Sequence, residues 1–445
     1  MGLMDMNIKN ILGFVAVIIL IISGFSGSIN SQEIVIEKNI AITDEHGVYD
    51  IIIPDDYSTI QEGINNANIG NKIFVRKGTY NENLLIDKEG LRLIGESRCN
   101  TTVSSKDPLM HTIQIKAFNV TISGFSIVNA TGSNFLWDTS GIFICSPNTK
   151  IDNNLIYGNR LGITSLNIAY NLTICNNKFS DDGILLGDYE HTPNNLEVTL
   201  ESFVHNIYNN TVNGRPLYYI KNKKDYVVPD DAGQIILSNC TNVTIKNTYF
   251  TRCDFPIMLY CSNYCIVENN VVENSYGEII TMHSDNCTFQ YNTIDNIIFG
   301  ICLDQKSKNN VIRYNKITNC IAGIVSMIGS SNNNIYENNL TKNTWGIALF
   351  IKTNNNLMNR NLIKKNKIGL YILEDPYDNS FVNNTYIQNT LQVKSVGKTT
   401  NHYSNNYWSR PRRIPKLIIG WLKGKISMPC FITGVDLHPL RERQI

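Results

Sequence analysis

The chain of 445 residues carries a net charge of +1 with only 17% charged residues, and its polar groups come mainly from roughly 60 asparagines. So even a balance excludes a nucleic-acid partner gripped by a basic surface. Length alone would suggest two or three domains, a prior that lapses for a solenoid, because stacked repeats lengthen without adding separate cores.

In chain order, the first feature is a sorting signal. Lys9 precedes an apolar run from Ile11 to Ile22, followed by the small residues Ser23, Gly24, Ser26, Gly27 and Ser28. The run is short for a membrane span and suits a signal-peptide core. Residues 1–32 are therefore read as a signal peptide, with an uncleaved N-terminal anchor as the alternative, and the protein is expected outside the cytoplasm, extracellular or at the cell surface.

Residues 50–98 read as an N-terminal cap and the first coils. In the stretch from Ile53 to Ile64, Ser58 or Asp56 can cap a helix whose apolar stripe is Ile60, Ile64 and Ala67. Gly70 and Asn71 stop it, and strands follow at Lys72–Val75 and Leu91–Gly95. Such a helix would cover the open strand edge at the start of a stack.

From residue 119 one phrase recurs: apolar, two residues, Asn, one residue, apolar. It runs through Asn154 and Asn177, then Asn247, Asn270, Asn292, Asn315, Asn338, Asn361 and Asn384. From Asn247 the anchors stand 23 residues apart with one step of 22, Asn154 and Asn177 are also 23 apart, and 70 residues separate Asn177 from Asn247. Helical repeats need about 33 residues or more, and the leucine-rich frame is missing. Short β-branched strands separated by Asn, Gly and Ser fit a coil of three strands. The expected fold is all-β: a parallel β-helix over residues 50–400, with coils about 4.8 Å apart and the asparagines forming a hydrogen-bonded ladder. Eight residues after the anchor stand Gly162, Gly300, Gly323, Gly346 and Gly369, as a corner with positive φ would require. Positions ten and twelve after the anchor are expected to face the core, and Asp304 is the polar exception among them.

Two stretches leave the pattern. Residues 187–232 lose the phrase and hold His191, Glu201, His205, Arg215, Tyr218, Tyr219, Lys221, Asp230 and Asp231; irregular excursions from a regular scaffold often carry function. Residues 401–445 change composition, with Trp408, Arg410, Arg412, Arg413, Trp421, Lys423 and Lys425. They read as a C-terminal cap, or else as a basic, aromatic contact for an acidic polymer or membrane surface.

The string IPDDYSTIQEGINNANIGNKIFVRKGTYNENLLIDKEGLRLIGE resembles the opening of NosD-like and pectinesterase-like β-helix proteins. NGRPLYYIKNKKDYVVPDDAGQIILSNCTNVTIKN resembles the G-(K/R)-P-(I/L)-Y-Y segment of NosD-like proteins, and the Asn-rich body with its tail is similar to archaeal cell-surface members. The resemblance spans roughly residues 50 to 400. It implies a right-handed helix of the pectin lyase-like kind, built from PbH1 repeats, a fold often found on carbohydrate-binding and sugar-hydrolase proteins. The family label also carries a copper association.

Enzymes that act on polysaccharides need acids gathered on adjacent coils, and lyases need Ca²⁺ besides. The nearest such group is Glu278, His283 and Asp304, with Asp304 raised in pKa if buried. Tyr260, His283 and Gln305 stand thirteen residues after successive anchors and are expected to stack in one outward column. Tyr260, Gln305, Tyr218, Tyr219 and Arg215 are the candidate ligand contacts. Cys261, Cys265, Cys287, Met258, Met282 and His283 are soft enough for copper, but Met258 and Met282 occupy apolar strand positions and core packing explains them better. No cofactor is therefore assigned, with Ca and Cu kept as alternatives. Eleven cysteines without metal spacing read mainly as small core residues, with one or two disulfides open to an exported chain. Two functions stay open: a non-catalytic surface protein that binds glycans or builds the cell envelope, and a polysaccharide lyase, hydrolase or esterase.

Overall fold

The computed structural model describes residues 49–134, 137–188, 199–397, 399–409, 416–421 and 429–436. The expected signal at 1–32, His191, Arg410, Arg412, Arg413, Lys423 and Lys425 lie outside them. The described residues fall in two compact units, one running up to residue 169 with residue 188, the other formed by residues 170–187 and those from 199 on. The fold is an all-β right-handed parallel β-helix with almost no helix.

In the first unit Ile51, Ile73, Leu93, Ile122 and Ile151 stand over one another on parallel strands, all buried. The expected helix is Ile60–Asn66, with Ile60 and Ile64 buried. Its N-cap is Thr59, one residue after the expected Ser58: Thr59 Oγ1 accepts from Glu62 N at 3.1 Å. Ser58 instead donates to the Glu62 carboxylate, and Asp56 accepts from Ile52 N. Glu82, from the next coil, accepts from both Ile60 N and Gln61 N, satisfying two donors that a helix start leaves open. The helix packs on Ile51 and Ile53, which a Cβ at Gly63 would touch.

In the second unit each full coil has three strands, as in Val311–Arg313, Lys316–Thr318 and Ala322–Ser326. In the two three-residue strands the central side chain is buried between partly exposed neighbours. Three inward columns result: Phe289, Ile312, Ile335, Met358; Ile294, Ile317, Leu340, Ile363; and Ile301, Ile324, Ile347, Leu370. They converge on one continuous core. Each such side chain contributes about 2 to 3 kcal/mol by leaving water, so a polar replacement of Ile317 would open the stack from within.

The corners correct one expectation. Gly300, Gly323, Gly346 and Gly369 do not carry a positive φ; they are required by close approach. A Cβ at Gly300 would stand 2.4 Å from Gly323 O, and at Gly323 2.6 Å from Gly346 O, nearer than any side chain can sit. The left-handed corners fall instead on Asn269, Tyr291, Tyr314, Glu337, Arg360 and Asn383, each with φ between 53° and 56°. Asparagine tolerates this conformation best, and the other residues are placed there by the register.

Candidate functional site

The asparagine ladder sets the register and therefore the site. Each backbone N–H donates to the side-chain oxygen one coil on: Asn270 to Asn292, Asn292 to Asn315, Asn315 to Asn338, at 3.0 Å, and onward through Asn361, Asn384 and Asn406. The side-chain amides donate along the same line and to carbonyls of the preceding coil. The last oxygen is that of buried Asp436, which accepts from Asn406 N and Trp408 Nε1. Asn154 serves Phe125 N in the same way in the first unit, and Asn177 N donates to Asn210 in the second. Asn247 does not join. It is exposed at φ 57°, and Thr248 takes its place, donating its N–H to Asn270 at 3.0 Å.

That one-residue slip redraws the outward columns. Tyr260 pairs with Met282, and Met282 with Asp304. His283 and Gln305 share their column with Cys261, not with Tyr260; all three turn left-handed, at φ 47°, 49° and 46°. Two further ladders, Asn310–Asn333–Asn356–Asn379–Asn401 and Asn343–Asn366–Asn389, escaped the sequence reading although they recur five residues either side of the anchor.

Asp304 lies on the face of its strand opposite the core, since Ile301 and Leu303 point inward. It is nevertheless only 2% exposed. Its carboxylate accepts from Gln305 N at 2.7 Å, and its backbone carbonyl from Ser307 Oγ. Glu278 is half-buried as a residue, but its carboxyl is held in a dry setting. Burial first, and then the Asp304 charge, push it up to about 8. The Cys302 thiol is raised by burial and then by Glu278 and Asp304, which places the three together. A carboxyl held neutral at neutral pH beside a second acid is the raw material of acid–base catalysis. Tyr260 is fully buried, stacked on Phe203 at 4.0 Å, with its hydroxyl donating to Leu186 O and Met258 Sδ.

The Arg215–Lys221 strand binds its own fold. Arg215 donates to the backbone carbonyls of Asp230, Asp231 and Tyr249. Tyr218 donates to the Asp231 carboxylate at 2.8 Å. Tyr219 accepts from His205 N and donates to Phe203 O. His205 is 1% exposed, and burial lowers it to about 4, so it stays neutral; Nδ1 accepts from Leu172 N while Nε2 donates to Ser202 O. The excursion is thus narrower than 187–232, since parallel stacking resumes at Asn206.

An outward row that sequence reasoning missed lies one and two residues before the anchors. Gln290 Nε2 donates to Glu268 at 2.7 Å; Arg313 Nε donates to Gln290 Oε1 at 2.8 Å and Arg313 Nη1 to the Tyr336 hydroxyl at 2.9 Å. Beside it Tyr291 and Tyr314, about half exposed, stack at 5.1 Å, with the Arg313 guanidinium 5.8 Å from the Tyr314 ring. Their constant offset from Asn292 and Asn315 was the available signal.

The soft side chains considered for copper do not converge. Cys265 and Cys287 face the core and contact each other, whereas Met258 and Met282 lie on the opposite face of their strands. Among the described residues no group of three or more His, Cys, Asp or Glu could hold a metal, and Cys261, Cys265 and Cys287 are thiols. No helix among them is long and apolar enough to cross a membrane.

Comparison with known proteins gives a family match to residues 206–421, described as NosD, periplasmic copper-binding protein. No curated protein matches. Solved structures that resemble the chain include the Dettilon tailspike protein, at 14% identity and TM-score 0.31, covering 76% of this chain and 60% of the tailspike. The chain thus spans about three fifths of the tailspike's length. The periplasmic alginate epimerase AlgG matches at 15% identity and TM-score 0.33, over 79% of this chain and 82% of that one. The Azotobacter vinelandii mannuronan C-5 epimerase AlgE6 A-module matches at 12% and 0.33, over 78% and 92%. The fold is thus a right-handed parallel β-helix, and residues 206–421 of it match the NosD family.

Proposed function

We propose that the protein is an exported, non-catalytic β-helix that binds glycans along its outward tyrosine–arginine row. The observation that carries this reading is the Tyr291–Tyr314 stack beside the hydrogen-bonded chain Glu268–Gln290–Arg313–Tyr336. Ring faces and edges take the apolar side of a sugar, and a fixed line of donors and acceptors takes its hydroxyls. The polar groups are already held in place, so little ordering is lost on binding. The periplasmic description of the NosD family supports a place outside the cytoplasm. The residues first considered as ligand contacts support it less, because Tyr260 is buried and Arg215, Tyr218 and Tyr219 are committed to the fold.

A second reading, a polysaccharide-active enzyme, is favoured by one observation, the Glu278–Asp304 pair with its raised Glu278. One experiment separates them. The purified protein is titrated with a panel of neutral and acidic polysaccharides, and the products are analysed. Binding without product, weakened about tenfold or more in Tyr291→Ala/Tyr314→Ala, is expected. Product formation that Asp304→Asn abolishes in a folded protein would replace the binding reading with the enzymatic one.

A further inference from the structure

Beyond the tyrosine row, positive charge gathers on three successive coils. Lys342 and Lys365 stand over each other, because Asn339 pairs with Leu362 and Thr341 with Lys364. Lys364 is half-buried on the same strand, and Lys342, Lys365 and Lys367 are exposed. Lys394, one coil further on, lies over the Tyr371 ring at 5.4 Å. Among the described residues none of these five lysines forms an ion pair.

Such a grouping is costly. Coils advance by about 4.8 Å, so like charges on neighbouring coils repel with little to separate them. The Lys394 ammonium shows the strain of the surroundings: burial lowers its proton affinity, and Lys367 lowers it further. In a chain whose net charge is only +1 this is a local concentration, not a reflection of composition. A compensating charge from outside the chain removes the repulsion. Lysines spread over several coils at strand spacing match an extended polymer better than a small ion.

We propose that this cluster seats an anionic polysaccharide, a chain of carboxylated sugars, and makes the protein selective for acidic polymers. The inference rests on the glycan-binding reading above and names its ligand class.

The test uses the full chain, polygalacturonate as the acidic probe, a panel of neutral glycans including dextran, and vesicles of phosphatidylglycerol and phosphatidylcholine. The wild type is expected to prefer polygalacturonate, with affinity falling steeply as salt rises. Lys342→Gln/Lys365→Gln/Lys367→Gln changes exposed side chains alone. It is expected to lose about tenfold or more in affinity for polygalacturonate and to keep its affinity for neutral glycans. Unchanged polygalacturonate binding in that variant overturns the proposal, as does a wild type that prefers anionic vesicles. Neutral-glycan binding that needs Tyr291 and Tyr314, without any preference for acidic polymer, overturns the proposal and leaves the glycan reading standing. Binding to neither probe overturns both.

Discussion

Two stretches of the second unit share a fold and differ in how they hold it. From Asn292 to Asn384 steps of 23 residues stack up to three asparagine ladders, and the outward positions carry exposed Tyr, Arg and Lys. Between Gln234 and Asn292 the steps shorten to 22, and the corresponding places are taken by Thr248, Cys265, Cys287 and Ser275, beside a serine column, Ser262–Ser284–Ser307, that runs on past Asn292. The outward face of the third strand is buried in both stretches, and Glu278, Cys302 and Asp304 gather on it where the two meet. An asparagine ladder satisfies the corners with strong amide bonds and leaves the surface to function. A serine or cysteine corner satisfies fewer groups.

The largest expected effect tests that difference directly. Asn338 accepts from Asn315 N and Nδ2 and donates to Ile312 O, Tyr336 O and Asn361 Oδ1. Asn338→Ala strands buried partners on both sides and should cost about 3 to 5 kcal/mol. Ser284→Ala removes the acceptor for Ser262 N and the donor to Leu259 O, and should cost about 1 to 2 kcal/mol. Denaturant unfolding of both variants gives the comparison; equal losses would mean that the two kinds of corner hold the stack alike.

The covered face should also announce itself in pH. Folded Glu278 keeps its proton up to about pH 8, against an ordinary value of 4.5. The folded state therefore binds the additional proton across that window, and its stability is present at low pH and lost as pH rises through 8. Glu278→Gln cannot ionise, so its unfolding midpoint should stay level between pH 5 and pH 9 while the wild type declines. A wild type that holds level too would show that the Glu278 carboxyl is wet.

How much of this was legible in sequence depends on which residue carried the message. The period, the parallel stacking and the ladder through Asn270 to Asn384 were readable because one amide must recur at one place in every coil. The phase before Asn270 was not, because Asn247 copies the phrase while Thr248 does the bonding. That single residue displaced Tyr260 from the column of His283 and put it over Met282. Glycine at the corners was legible as a constraint but not as its cause, since close approach and positive φ demand the same residue. The Tyr291–Arg313 row went unread because offsets just before the anchor fall in the corner, where a repeat is expected to vary.

The smallest effect sharpens the comparison at its boundary. Thr248 already passes its N–H to Asn270 at 3.0 Å, and its hydroxyl turns back to Lys246 O at 3.1 Å. Thr248→Asn would restore a side-chain amide there, able to donate to the Asn270 oxygen as Asn270 donates to Asn292 at 3.1 Å. It would also supply a donor for carbonyls of the preceding coil, as Asn270 does for Ile245 O. A gain of about 0.5 to 1 kcal/mol is expected, measured as a rise in the unfolding midpoint. If the ladder stops at Thr248 because the shorter coil brings its neighbours too close for an amide, the same substitution will destabilise. The 22-residue step, not the missing asparagine, would then be what separates the two stretches.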